Sequence, residues 1–492
     1  MTRPTTPADG AATTSARPET AHAVENLLFS AALVARRLPW ADLPARALGL
    51  DALTREGLTR RLMTHLRGRR HGGPVRLRTS FGTFLVPVSR ADARSLLEGA
   101  DAAGALGTAS GLATDGSRYG LSPHTAPAGA WDVLTEDELD GLTARVTENL
   151  LPVLGARRED GILDGDHWRA GMLRLSRSIV LGSGATEDTL LSEMVTAAAH
   201  AAGSRAYAER EAAVRRRLAP YLADPDPGSL AGRLAARAPD ASEADLALAH
   251  ALALVSTATS VSGLQALALL AAGCAPAPAP ASDPGSAAEA VTSAEGAMDL
   301  ALAHYPPLSA VVYPVRAPFG TDRAALAPGE EILYAAELVE RPAPGERADP
   351  ARALCGRPSG CAAARFAALV GREVVRGATT GVRPVLIAPA FTADRLPDTL
   401  SPRSVLVALA ASDGPGGTAA GHAGTRAARG ARGQAGADRL DRHAERLSAC
   451  AADAGWNGSE AGERFRMFLL AHADRCANAA SDVRRAARRL SD

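Results

Sequence analysis

The chain has 492 residues in which 54 basic side chains balance 54 acidic ones, so no strong single-sign surface points to nucleic acid or to a polybasic membrane face. It contains no lysine, which excludes Schiff-base cofactor enzymes, phosphate loops ending in Gly-Lys-Ser/Thr and Tyr-Lys dehydrogenase pairs. The length allows two or three average domains or one large helical domain with appendages.

Residues 1–23 are polar and Pro/Thr-rich, without the apolar stretch of a secretory signal, and read as a disordered leader. Helical periodicity runs through 23–70. It gives way at Gly73 to an alternation of period two, with Val75, Leu77, Phe84, Val86 and Val88 as its apolar positions, which predicts a β-hairpin. Ser89 is placed to cap the short helix that follows. Residues 101–130 are rich in Gly, Ser, Thr and Pro and read as a loop, after which helical patterns fill 136–154, 166–181 and the middle of the chain to about 255.

The uncharged run from Ala251 to Gly273 is long enough to cross a bilayer. Its centre, STATSVSG, is rich in hydroxyls and glycine, and a core helix passing a cavity is the expectation rather than a membrane span. The Ala-Pro stretch at 275–280 marks an exposed connection. Beyond it come a helix at 287–303, the segment HYPPLSAVVYPV, strand-like pieces near 329–338, the glycine-rich CGRPSGC, an amphipathic helix at 361–377 and a closing strand pair. The core ends near Ala411. Residues 412–436 read as a flexible Gly/Ala/Arg linker, and 437–492 hold two helical patterns able to pair. Five cysteines, Cys274, Cys355, Cys361, Cys450 and Cys476, make no CxxC pair and no disulfide framework, which fits a reducing cytoplasm.

This order of elements resembles the cytochrome P450 family over residues 24–411. The likeness is carried by GPVRLRTSFGTFLVPVSRADARSLLE, SRSIVLGSGATEDTLLSEM, ALVSTATSVSGLQALALLA, AMDLALAHYPPLSAVVYPV, LCGRPSGCAAARFAALVGREVV and LPDTLSPRSVLVAL. The resemblance implies a mainly α (α+β) fold with small β-sheets and a long central helix over a haem b. Cys361 is its implied axial ligand, with Pro358 and Gly356 in the turn before it. A thiolate there, at a helix N-terminus, pushes electron density toward bound oxygen. The alternative for Cys361 is an ordinary buried thiol.

Several family features are missing. The Glu-x-x-Arg pair would fall on Leu300 and Ala303, and the loop between Pro328 and Leu354 is short. The acid-alcohol pair would fall on Ser262 and Gly263. Ser260, Ser262, Thr257 and Thr259 are candidates for a water chain, or for satisfying carbonyls of their own helix. His124, Arg145, Arg169, Arg174 and Arg316 are candidates for haem propionates, Arg316 being best placed. Glu136, Asp137, Glu138 and Asp140 put acid where an electron donor would meet base. Two functions follow from the resemblance. One is a haem-thiolate monooxygenase for a hydrophobic or natural-product molecule, fed by ferredoxin and its reductase or by peroxide. The other is a haem-free relative that activates or scaffolds another enzyme.

Overall fold

The structure is a computed structural model. It describes residues 19–35, 55–69, 73–79, 82–107, 109–112, 118–120, 145–146, 148, 150, 162–201, 205–237, 244–274, 287–308, 310–321, 324–335, 349–358, 360–380, 382–389, 391–393, 396–397, 400–411, 420–452 and 460–491. They belong to two compact units, 1–410 and 411–492. The first is mainly helical with small sheets, the α+β class expected from the sequence. Of the leader, residues 1–18 lie outside the described residues, and Thr20 forms a parallel bridge to Arg76 just ahead of α1 (Ala23–Ala35).

The alternating run forms the expected hairpin of β1 (Val75–Thr79) and β2 (Gly82–Val86), antiparallel with Val75 opposite Val86. Leu77, Phe84 and Val86 are buried in one cluster with Phe29 of α1 and Leu66 of α2 (Arg55–Arg69). Ser89 caps α3 (Arg90–Ala102), its Oγ accepting the Asp92 N–H at 3.1 Å. Two three-residue strands, β3 (Ser110–Leu112) and β4 (Arg118–Gly120), lie inside the stretch read as a loop. Strands this short show no measurable period, so composition alone hides them. The hairpin, β3 and β4 join β6 (Ala310–Pro314) and β9 (Glu331–Ala335) in a six-stranded sheet of order β1-β2-β9-β6-β3-β4. The parallel pairing of β2 with β9, Leu85 opposite Ile332, ties the early hairpin to a strand more than 200 residues later.

The middle of the chain forms β5 (Ile162–Asp164), α4 (Gly165–Leu181), α5 (Thr189–Ala201), α6 (Tyr207–Ala223) and α7 (Leu230–Arg237). Most of the apolar run becomes the C-terminal part of α8 (Ala244–Ala271), and 78% of the helix's most apolar stretch is buried inside the fold. It is a core helix, as its hydroxyl-rich centre suggests. Against it pack α9 (Ala287–His304) and α10 (Ala362–Thr379). Gly371 permits that approach, since a Cβ there would lie 2.6 Å from Met298 Cε and 3.4 Å from the Ala258 carbonyl. The chain also forms a two-stranded sheet of β7 (Phe319–Thr321) and β8 (Ala324–Leu326). The closing strands β10 (Val382–Ala388) and β11 (Leu406–Ala411) complete a sheet of order β10-β11-β5.

The second unit is a hairpin of two long helices, α11 (Ala420–Ala452) and α12 (Glu460–Ser491). Helix α11 takes in 420–436, which composition assigns to a flexible linker. The correction has a physical reason: alanine and arginine are strong helix formers, a preference that a reading for large apolar residues passes over. Residues 412–419 lie outside the described residues. Ala437, Ala444 and Ala451 on α11 and Ala473, Ala480 and Ala487 on α12 are buried, each set at a spacing of seven. Arg484 of α12 pairs with Asp438, at 2.8 Å, and with Asp441 of α11.

Candidate functional site

Three elements of the first unit converge on one buried cluster. The first is α8. Between Ala258 and Ser262 its winding widens to a π turn, and the Gly263 N–H reaches back to the Ala258 carbonyl, five residues away. The Thr259 carbonyl, which a regular α-helix would give to Gly263, instead accepts the Trp168 Nε1–H at 2.9 Å. Such insertions recur at functional sites. The hydroxyls here serve their own helix: Thr257 donates to the Ala253 carbonyl at 2.9 Å, Thr259 to that of Val255 at 2.7 Å, and Ser260 to that of Ser256. Thr259 also meets Ser176 Oγ at 3.3 Å. Ser262 Oγ is buried without a hydrogen-bond partner among the described residues.

The second element is another π turn, Ala351–Cys355, closed by the bond from Gly356 N–H to the Ala351 carbonyl at 2.7 Å. Gly356 sits at φ +73°, a left-handed conformation that glycine adopts without strain. Its carbonyl accepts the Tyr313 hydroxyl from β6. Arg352 fastens the turn to Glu98 on α3 and to Asp349. Pro358 is buried, and Gly360 at φ +97° turns the chain into the third element, the N-terminus of α10, where Cys361 is the extended capping residue.

There Cys361 Sγ lies 3.4 Å from His250 Nε2 of α8, and Cys355 Sγ lies 3.7 Å from the same nitrogen. All three are buried, at 8%, 3% and 1% exposure for Cys361, His250 and Cys355. The Cys361 thiol is held well below the ordinary thiol range, first by the hydrogen bond that Cys355 donates to it, against the cost of burial, and then by His250 and the Ala364 N–H. Cys355 is pushed the opposite way, by giving its hydrogen to Cys361 and by its own burial. The cluster is a set of soft donors able to hold a metal ion. His250 and the approach of Cys355 are what sequence reading missed. A histidine inside an alanine-leucine helix was the available signal, and no spacing linked it to a cysteine 111 residues on.

A haem ligated by Cys361 would lie between that sulfur and α8, as in the resembled family. A flat group held there would keep the sulfur and the side chains of α8 on opposite faces, about 6 Å apart. Cys361 and His250 are in direct contact instead, so the residues as arranged do not fit a haem there. Of the other expected haem contacts, two are held in ion pairs. Arg145 pairs with Asp226 at 2.7 Å and Arg174 with Glu187 at 2.5 Å. Arg169 is exposed. Arg316 is exposed at the end of β6, its backbone N–H bonded to Ala105 and its side chain over Gly107. His124 and the acidic run at 136–140 lie outside the described residues. Leu300 and Ala303, at the Glu-x-x-Arg positions, pack half-buried against the main core.

No family model matches this chain, and no curated protein matches it. Among solved structures, cytochromes P450 are similar to it. Cytochrome P450SP alpha (CYP152B1) in complex with (R)-ibuprophen shares 13% identity over 71% of this chain and 95% of its own, with a TM-score of 0.48. Retinoic-acid-bound cyanobacterial CYP120A1 shares 12% over 81% and 100%, with a TM-score of 0.48. CYP175A1 from Thermus thermophillus shares 19% over 76% and 98%, with a TM-score of 0.43. Likeness at such identities carries nothing about substrate or chemistry.

Proposed function

We propose that this chain is a haem-free protein of cytochrome P450-like fold that works as a structural or activating partner of another enzyme in the cytoplasm. One observation carries this: His250 Nε2 of α8 stands 3.4 Å from Cys361 Sγ, so the helix and the sulfur are in direct contact with nothing between them. The losses at the other family positions point the same way. Leu300 and Ala303 replace an ion pair with apolar packing, and Thr259 and Ser260 spend their hydroxyls on their own helix. Gly263 offers no hydroxyl for proton delivery.

One feature supports a second reading, an oxidoreductase of the haem-thiolate type, monooxygenase or peroxygenase, acting on a hydrophobic small molecule. Cys361 keeps its place at the N-terminus of α10 with a depressed pKa, the setting a thiolate ligand requires.

A visible spectrum of protein purified from haem-replete cells separates the two. The haem-free reading expects no red-shifted band in the reduced carbon monoxide complex. A stoichiometric band that disappears in Cys361→Ala and persists in Cys355→Ala would overturn it in favour of the oxidoreductase.

A further inference from the structure

The cluster at the head of α10 has the shape of a tetrahedral metal site. With metal–sulfur bonds near 2.3 Å and metal–nitrogen bonds near 2.0–2.1 Å, a tetrahedral zinc ion sets its nitrogen and sulfur ligands about 3.5 Å apart and two sulfurs about 3.8 Å apart. His250 Nε2 lies 3.4 Å from Cys361 Sγ and 3.7 Å from Cys355 Sγ, and all three ligand atoms fall within 4.8 Å of one another. We propose that His250, Cys355 and Cys361 bind a divalent, thiolate-seeking ion of tetrahedral preference, zinc foremost, in place of the haem that the fold would otherwise hold. This rests on the haem-free reading of the same site.

The charge balance suits such an ion. Two thiolates and a neutral imidazole neutralise a divalent cation. Each ligand comes from a different element: the long core helix, the π turn after Asp349, and the N-terminus of α10. A metal there staples the segment before Cys361 to α8, the task that a Glu-x-x-Arg brace would otherwise perform and that Leu300 and Ala303 do not. Both turns that aim the ligands are unusual local structures, a π turn ending in a left-handed Gly356 and a second left-handed glycine at Gly360. They orient Cys355 and Cys361 toward one point.

The test is metal analysis and cobalt substitution on the full-length reduced protein. Wild type from zinc-supplied cells should retain about one zinc per chain through desalting. Cobalt put in its place should give near-ultraviolet thiolate charge-transfer absorption and the strong visible bands of a tetrahedral ion. Cys355→Ser and Cys361→Ser should each reduce the charge-transfer intensity by roughly half, one of two sulfurs being lost, and the double variant should abolish it. His250→Ala should weaken retention. A second constellation, His443, His472 and Cys476 on the helical hairpin, is partly exposed, and the double variant His443→Ala/His472→Ala should leave the thiolate absorption of the buried site in place.

Folded, reduced wild type without thiolate–cobalt absorption overturns the proposal, as does absorption indifferent to both cysteine substitutions. So does a metal-free protein in which only three of the five cysteines titrate as thiols because Cys355 and Cys361 are joined. If cobalt fails and no haem band appears, only the metal site falls. If a haem band dependent on Cys361 appears, the haem-free reading falls and the metal site with it.

Discussion

Asp299 of α9 and Arg372 of α10 form an ion pair at 2.8 Å, one residue from the position where the resembled family carries the glutamate of its brace. Both side chains are largely buried, and Arg372 Nε has no hydrogen-bond partner among the described residues, so the contact rests on the one terminal nitrogen. Breaking it from one side leaves a carboxylate in a poorly solvated place. Arg372→Met should cost about 3–5 kcal/mol, and the double change Asp299→Leu/Arg372→Met should recover most of that loss. Urea denaturation of the three proteins measures it, and equal losses in the single and double variants would show that the pair contributes only by packing.

Trp168→Phe keeps an aromatic ring on α4 but removes the N–H that satisfies the Thr259 carbonyl at the π turn. A buried acceptor left alone costs about 1–3 kcal/mol. The change should lower the unfolding free energy by that amount, seen as a lower denaturation midpoint at unaltered slope, and an unchanged midpoint would mean the carbonyl finds another donor.

Ser262 presents the opposite case. Its hydroxyl is buried and unpartnered, so Ser262→Ala should be neutral or raise stability by up to about 1 kcal/mol. A loss of more than that would show that the hydroxyl holds a contact, such as a bound water, in solution.

Asp226 links acid stability to the start of the helical middle. Its carboxyl is depressed to about 2, chiefly by the hydrogen bond that Arg145 donates, and further by the N–H groups of Ser183 and Gly228. A carboxylate whose folded pKa lies below its unfolded value of 3.8 adds stability above pH 4 and loses it as pH falls toward 2. Solvent exposure of the pair discounts the effect to about 1 kcal/mol. Thermal melts across that window should fall more steeply for wild type than for Asp226→Asn, and parallel curves would remove Asp226 from the acid transition.

Much of the fold was legible because periodicity is local. The change from helical spacing to alternation at Gly73, the Ser89 cap and the long apolar stretch around STATSVSG each announce an element through residues a few positions apart. Cys361 could be placed at the start of a helix for the same reason. What could not be read depends on distance in the chain or on strength below the period of a pattern. The contact between His250 and Cys361 joins residues 111 apart, and nothing in either neighbourhood encodes it. The ion pair of Asp299 with Arg372 spans 73 residues, and it takes over one residue from the position where a family pattern says to look. The strands at 110–112 and 118–120 exist because β6 offers an edge to pair with. The helix over 420–436 forms from residues whose composition suggested a tether, since alanine and arginine lower the cost of helix without marking an apolar face.

The seven-residue spacing of alanines in the C-terminal hairpin has a consequence for how that hairpin chooses its alignment. Sliding α12 along α11 by one repeat would set alanine against alanine again, so these alanine contacts by themselves choose only weakly between one register and the next. The choice is then left to charge. Arg484 reaches Asp438 and Asp441 together in only one alignment, and this three-residue clasp works as a key on a lock whose pins are all the same height.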